Sequence, residues 1–196
     1  MITLSDPPLT LQPLREEHAP ALYHAVRASL VDLVPWMSWA HRDYSLSEAR
    51  DWIRMANRQW REGRYYGFGI FNREGELIGS CSLGQFHPYY RFANLGYWVH
   101  HAYRGQGIAG RAARLVARFG FESLGLLRIE IVIATENYAS RRVAEKIGAH
   151  FEGILRNRLI VHGQVQDAAM YSLIPQDFQP HSALGGERLE ESHGRT

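Results

Sequence analysis

The sequence predicts a single mixed α/β domain, and three observations carry that expectation. Two amphipathic helical stretches lie near the N-terminus. Three short β-rich segments come after them. A glycine-rich turn then leads from the last segment into another helix. The 196 residues are 45% hydrophobic and 12% aromatic, which suffices for one core and excludes disorder throughout.

Taken in order, Leu9 to Leu14 alternates enough for a short strand. Glu16 to Leu30 sets Ala21, Leu22, Ala25, Val26 and Ser29 on one helical face, and Pro35 breaks the segment beyond it. Ser45 and Glu48 form a capping-box pair. Behind it Ala49, Trp52, Ile53, Ala56 and Trp60 recur at helical spacing until Glu62-Gly63. The period then changes. Tyr66 to Phe71, Leu77 to Phe86 and Ala93 to Val99 are short, β-branched and aromatic, and the first two are separated by the turn Asn72-Arg73-Glu74-Gly75. They read as an antiparallel meander. A helix is expected from about Gly107 to Ser123, with Ile108, Ala112, Leu115, Val116 and Phe119 inward and Arg111, Arg114 and Arg118 on the other side. Arg128 to Ala134 is a compact strand, and Ala139 to Ile147 a helix closed by Gly148. Phe151 to Val161 and Val165 to Ile174 flank His162-Gly163 as a final hairpin. From Gln176 the composition turns polar, so 1–175 is expected to be the domain and 176–196 a loose tail.

Several classes are set aside by composition. Lys and Arg number 22 and Asp and Glu 20, and a formal charge of +2 gives no argument for direct nucleic-acid binding. No apolar run reaches the roughly 18 residues of a membrane span. The opening MITLSDPPLT lacks a basic stretch followed by an apolar one, so no secretory leader is expected. One cysteine, Cys81, cannot form an internal disulfide, which fits a reducing, cytoplasmic setting. No His, Cys and Asp cluster has metal-ligand spacing, so no metal is expected.

The most informative stretch is Tyr97 to Arg111, YWVHHAYRGQGIAGR. It places glycines between a strand and the start of a helix. The first helical turn carries unpaired N–H groups and the positive end of the macrodipole. Glycine lets an anion approach those groups, and Arg104 adds a fixed charge suited to phosphate. Such a turn suits a pyrophosphate. Gly105, Gly107 and Gly110 match G-x-G-x-x-G, and Glu130 lies about 20 residues on, as in dinucleotide-binding folds. That fingerprint should open a parallel βαβ unit, whereas antiparallel strands precede it here. A tight turn without ligand is the third interpretation.

The stretch resembles the GCN5-related N-acetyltransferase (GNAT) superfamily, whose signature Arg/Gln-x-x-Gly-x-Gly/Ala is met by Arg104, Gly107 and Ala109. Leu95-Gly96-Tyr97-Trp98-Val99, Asn137-Tyr138-Ala139-Ser140 and Ala144-Glu145-Lys146-Ile147-Gly148-Ala149 are similar to its RimJ/RimL branch, as is Gly163 to Asp167 with Met170-Tyr171-Ser172-Leu173. The similarity covers about residues 9 to 178. It implies a largely antiparallel central sheet with a splayed strand pair and helices on both faces. It also implies acetyl-CoA as acyl donor, held by the backbone of Trp98, Val99 and His100 along the pantetheine arm. The amides of Arg104, Gly105, Gln106, Gly107, Ile108, Ala109 and Gly110 would hold the pyrophosphate. An N–H near Val99 would face the thioester oxygen, where negative charge develops. Asn137 resembles the asparagine that bonds the cofactor arm, and it is equally well placed as a helix N-cap. Ser140 resembles the general acid that protonates the leaving thiolate; the alternative is a serine satisfying the first helical turn.

The chain departs from the family where a base is expected. Asn94 and Leu95 stand where an acidic residue often precedes the Gly-Tyr-Trp strand, and Arg156 to Val161 holds no carboxylate. His87, His101, Glu136 or a water chain are the candidates. On the acceptor side the resemblance points to the segment joining the first two helices, with Trp36 and Trp39. His87 and Tyr90 lie in a second aromatic turn that would rim the same cleft. Arg156 and Arg158, two apart on a strand, would share one face. The implied activity is acetyl transfer to a primary amine: a protein N-terminus, such as that of a ribosomal protein, or a small amine. A CoA-binding sensor without efficient catalysis is the alternative that the missing carboxylate motivates. Monomer and homodimer are both open.

Overall fold

In the computed structural model, residues 2–178 are described. The chain runs β1 (Leu4–Asp6), β2 (Leu9–Gln12), α1 (Ala19–Leu33), α2 (Leu46–Arg61), β3 (Tyr66–Phe71), β4 (Leu77–His87) and β5 (Phe92–Val99). It continues through α3 (Ile108–Leu124), β6 (Arg128–Ala134), α4 (Tyr138–Lys146), β7 (His150–Val161) and β8 (Gln164–Leu173). The eight strands form one sheet in the order β1-β2-β3-β4-β5-β6-β8-β7. All neighbours are antiparallel except β5 and β6, which are joined through α3 as a parallel crossover requires.

Each face of the sheet buries its own core. Phe68, Leu83, Leu95 and Ile129 pack with Ala112, Val116 and Phe119 of α3 and Ala144 of α4. Leu22 and Val26 of α1, Ala49 and Ile53 of α2, and Leu77 of β4 pack together, with Trp98 against them. Leu95 therefore faces one core and Trp98 the other, as the two-residue period of β5 demands. The capping box expected at α2 is formed: Ser45 N–H donates to Glu48 Oε2 at 2.8 Å, and Glu48 N–H to Ser45 Oγ at 3.3 Å.

The parallel pair is short. Its register is Phe92 with Arg128, Ala93 with Ile129 and Asn94 with Glu130, and there it stops. Past Asn94, β6 continues on β8 while β5 runs on to Val99 with β4 alone. The Asn94 side chain sits in the fork, where Oδ1 accepts from Val132 N–H at 3.4 Å.

Three differences from expectation have local causes. Strand β1 was not anticipated, because three residues are too few to show a period, and Pro7-Pro8 reads as a break rather than a hairpin turn. Arg111 is not a solvent-facing arginine. Its Nε donates to Asp6 Oδ2 at 2.6 Å and its terminal nitrogen to the carbonyls of Asp6 and Pro7, tying β1 to α3. Helix α1 starts and ends three residues late, since Glu16–His18 forms a 3-10 turn and Pro20 lies in the first α turn, where no N–H is needed. At the other end, Phe178 packs on Phe121 at 5.5 Å and beneath Arg114. The polar stretch from 179 lies outside the described residues.

This packing makes two outcomes measurable. A Cβ on Gly79 would overlap the Trp98 carbonyl oxygen and stand 3.1 Å from Val99 Cα. Gly79→Ala is thus expected to cost about 1–3 kcal/mol and lower the melting temperature by several degrees; unchanged melting would show that β5 has room to move. Arg128 donates to both oxygens of Glu152, at 2.6 and 2.5 Å, linking β6 to β7. That bonding holds the Glu152 carboxyl down at about 2, against an ordinary 4.5. Its stabilisation is present above pH 4.5 and fades as pH falls towards 2. Glu152→Gln should therefore flatten the melting-temperature profile between pH 5 and pH 2.

Candidate active site

The glycine turn begins where β5 ends. His100 N–H donates to the Ile78 carbonyl at 2.8 Å, and His101–Tyr103 makes one 3-10 turn. Gly105 and Gly107 both have φ +76°, a left-handed conformation that costs other residues roughly 1–2 kcal/mol. Gly107 is the N-cap of α3. Among the described residues, no backbone carbonyl accepts from the N–H groups of Gly105, Gln106, Gly107, Ile108, Ala109 or Gly110; Arg111 is the first to bond back, to Gly107 at 3.1 Å. A Cβ at Gly105 or Gly107 would meet nothing within 4 Å. The turn is thus an open cradle of donors at a positive helix end. Ile108 itself is buried and anchors α3, and the Gly110 Cα packs on the end of α4, with room for a Cβ only 3.3 Å from Ile147.

The turn is moored to α1. The Arg104 guanidinium pairs with Asp32, whose other oxygen meets His101 Nδ1 at 2.6 Å. The His101 N–H donates to Ser29 Oγ at 3.0 Å, which donates on to the Ala25 carbonyl. Arg104 N–H donates to the His101 carbonyl at 3.3 Å. The Arg104 charge therefore rests on a carboxylate, and the N–H groups from Gly105 onward form the free cradle.

Register decides which backbone groups of β5 face the fork. Ile78 and His100 form a hydrogen-bonded pair, and partners two apart in the ladder repeat it: Ser80 with Trp98, Ser82 with Gly96. Trp98 and His100 therefore turn their backbone groups towards β4. Tyr97 and Val99 turn theirs into the open gap.

Across that gap stands the first turn of α4. Asn137 is its N-cap, with Oδ1 accepting from Ser140 N–H at 3.1 Å. Ser140 Oγ lies 3.1 Å from the Tyr97 hydroxyl, which donates to the Ser140 carbonyl at 3.0 Å. Burial pushes the Tyr97 phenol above its ordinary value, so it stays protonated. The helix is held in turn by Arg141, which donates to the Tyr171 hydroxyl and the Thr135 carbonyl.

On the α1–α2 side of the sheet a cavity of about 240 Å³ opens above β4 and β5. Its floor is Ser80, Ser82, Gly96 and Tyr97, and its walls include Trp39, Tyr44, Trp52, Tyr65 and Trp98, with Glu48 among them. The structure brings Trp39 to this cavity, but not Trp36, His87 or Tyr90. His87 and Tyr90 stack on each other at 4.5 Å in the β4–β5 turn, five residues past Ser82 or roughly 16 Å along the strand. His101 and Glu136 do not line it either: one is on Asp32, and the other accepts from the Tyr138 hydroxyl at 2.9 Å. Arg156 and Arg158 flank Asn157, which has φ +53° within a register shift of β7, so the simple alternation between them is broken. The tip of the β7–β8 hairpin reaches the α1–α2 link, with His162 Nε2 3.0 Å from the Val34 carbonyl. Tyr97, Tyr65 and Glu48 were not singled out by sequence as site residues. Glu48 carried a signal for a cap, and Tyr97 stood in the strand motif that resembles the family without a role of its own.

An acetyltransferase (GNAT) domain model matches residues 8–150. The chain belongs to the GNAT acetyltransferases. YdaF of Bacillus subtilis (strain 168), provisionally named a ribosomal N-acetyltransferase, is 30% identical over 87% of this chain and 93% of its own. The ribosomal-protein-serine acetyltransferase of Escherichia coli (strain K12) is 27% identical over 85% and 92%. The solved structure of Mycobacterium smegmatis RimJ in complex with CoA-disulfide superposes with a TM-score of 0.80 at 26% identity, covering 91% of this chain and 88% of that one. This GNAT acetyltransferase uses acetyl-CoA. The residues present fit it: a forked strand with free backbone groups, then a cradle of unpaired N–H donors with space before it. The dinucleotide alternative falls with the antiparallel sheet and the family match. Among the described residues no helix is long and apolar enough to cross a membrane, and no cluster suits a metal ion.

Gly107→Ala tests the cradle. It forces a side chain into a left-handed position and into the open space, so acetyl-CoA should bind at least about tenfold more weakly by calorimetry, while the free protein loses roughly 1–2 kcal/mol of stability. Wild-type affinity in this variant would remove the cradle as the diphosphate site.

Proposed function

We propose that this enzyme moves an acetyl group from acetyl-CoA to a primary amine by direct attack of the amine on the thioester. The observation that carries the proposal is the position of Tyr97. Tyr97 lies on the cavity floor, while its ring sits on the other face of the sheet with Cys81, where its hydroxyl lies 3.1 Å from Ser140 Oγ. One residue of β5 thus borders the acceptor cavity and carries its side chain to the α4 side beside the fork. Acetyl-CoA supplies the activated acyl group and a thiolate leaving group.

The chain's own groups divide the remaining work. The cradle from Gly105 to Gly110 binds the diphosphate, and Asn137 keeps α4 at a fixed height beside the arm. The Val99 N–H, facing the gap, donates to the thioester oxygen as charge gathers there. The cavity orients the amine and excludes most water from its floor, where Ser80 is 4% exposed. Ser140 Oγ, positioned by its hydrogen bond to the Tyr97 hydroxyl, gives its proton to the departing sulfur and takes one back from solvent water. Among the described residues no histidine lines the cavity, and Glu48 is engaged by its capping bonds, so the amine sheds its proton through a chain of water leading out of the cavity. The relatives named for ribosomal proteins support a protein N-terminal amine as acceptor, in the cytoplasm. A small amine fits the same chemistry.

Release of free thiol from acetyl-CoA, followed with a panel of amines and N-terminal peptides, tests the activity directly. Ser140→Ala is expected to lower kcat roughly 100-fold while leaving the KM for acetyl-CoA within about twofold. Tyr97→Phe should fall between that variant and wild type. Full turnover by Ser140→Ala would strip the serine of its acid role.

A further inference from the structure

We propose that the cavity selects acceptors carrying a second positive charge at the end remote from the reacting amine, with Glu48 as counter-charge and the surrounding aromatic rings as walls. The inference rests on the acetyltransferase reading of the same site and narrows its substrate class.

The cavity has a direction. Ser80 on the floor is 4% exposed, whereas Trp39 at the rim is 41% exposed and the Glu48 side chain 42%. The floor adjoins Tyr97 and therefore the fork, so the reacting amine lies there and Glu48 stands at the opposite, open end. Among the described lining residues Glu48 is the one carboxylate, and the lining holds no Lys, Arg or His; His41, which bonds Glu48, lies outside it. Between the two ends the walls are indole and phenol rings, which attract cations through their faces and cover an apolar spacer.

The Glu48 carboxylate is fixed rather than free. Oε1 meets His41 Nε2 at 2.7 Å, and Oε2 accepts from the Ser45 N–H at 2.8 Å and its hydroxyl at 2.7 Å. Three contacts leave about one lone pair of the usual four for a ligand. Those bonds also hold the carboxyl below its ordinary range, which makes Glu48 a poor proton acceptor and a permanent anion near neutral pH. A free α-amino acid meets the reverse situation. Its carboxylate finds no cation in the lining and faces Glu48 instead. The volume of about 240 Å³ holds one short chain or ring. The group that enters the cavity is therefore a short amine-bearing chain with a second cation and no carboxylate.

Pentane-1,5-diamine, pentylamine and free lysine form a matched set for the test, because they share a spacer and differ in one charge each. For the wild-type enzyme, kcat/KM for the diamine should exceed that for pentylamine and for lysine by about five- to tenfold. Glu48→Gln should bring the diamine-to-pentylamine ratio to about one, chiefly through KM. Glutamine preserves the capping box, so folding persists, and a merely structural role would alter all three amines alike. A wild-type ratio near one overturns the inference, as does a ratio that survives Glu48→Gln. Equal acetylation of pentylamine leaves the acetyltransferase reading intact and removes only the charge selection. Acetyl-CoA binding without acetylation of the diamine also overturns the inference. Acetyl-CoA that neither binds nor is turned over with any amine sinks the underlying activity itself.

Discussion

The rest of the structure depends on the early parting of β5 from β6. Parallel strands bond along their whole length when nothing intervenes, and buried backbone groups left without partners are costly. Here the shared register stops after Asn94 and Glu130, and the Asn94 amide oxygen takes the Val132 N–H that a continuing β5 would otherwise approach. A side chain thus closes the fork at its apex and satisfies one donor of β6. The groups left open beyond it, on Tyr97 and Val99, are those an extended ligand arm satisfies as an added strand. An acidic residue at position 94 could not do the same work without an uncompensated charge. The asparagine that breaks the family pattern is therefore accounted for by its place in the fork.

The mooring of the glycine turn places the two halves of the site on one helix. The second half of α1 contributes Ser29 and Asp32 to the turn, and its first half contributes Leu22 and Val26 to the cavity. A shift of α1 moves both at once. Arg104 is restrained by the same helix. Its signature position suggests a phosphate partner, yet its charge is paired with Asp32, which keeps the basic turn from presenting an uncompensated cation. The backbone donors are then left to discriminate the ligand by shape.

Much of the fold was legible because the signals were local. Tyr66–Phe71 and Arg128–Ala134 coincide with their expected bounds, since hydrophobic period and flanking turns fix strands of that length. The capping box located the start of α2 because both its bonds lie within four residues. The cradle was legible for the same reason. What sequence could not provide was any contact made across the sheet. His87 and Tyr90 resembled a cleft rim by composition, but the β4–β5 register carries them to the far end of the strands. Trp36 and Trp39 are three apart on one loop, and only the second turns into the cavity. Tyr97 reaches Ser140 over 43 positions, a pairing that no spacing rule encodes.

Glu48 shows why such residues hide. Its capping role is a complete local explanation, so nothing in the sequence asks for another. The cap, however, requires the carboxylate to curl back over the first turn of α2, and α2 packs with that turn above β4 and β5. The same bonds that satisfy the helix end therefore fix an anion over the pocket. Charge placement here is a by-product of helix capping, which makes it inexpensive: the ordering entropy of the side chain is already offset by the helix it stabilises. Stability and specificity then share one residue, and a glutamine separates them because it keeps the hydrogen bonds and discards the charge.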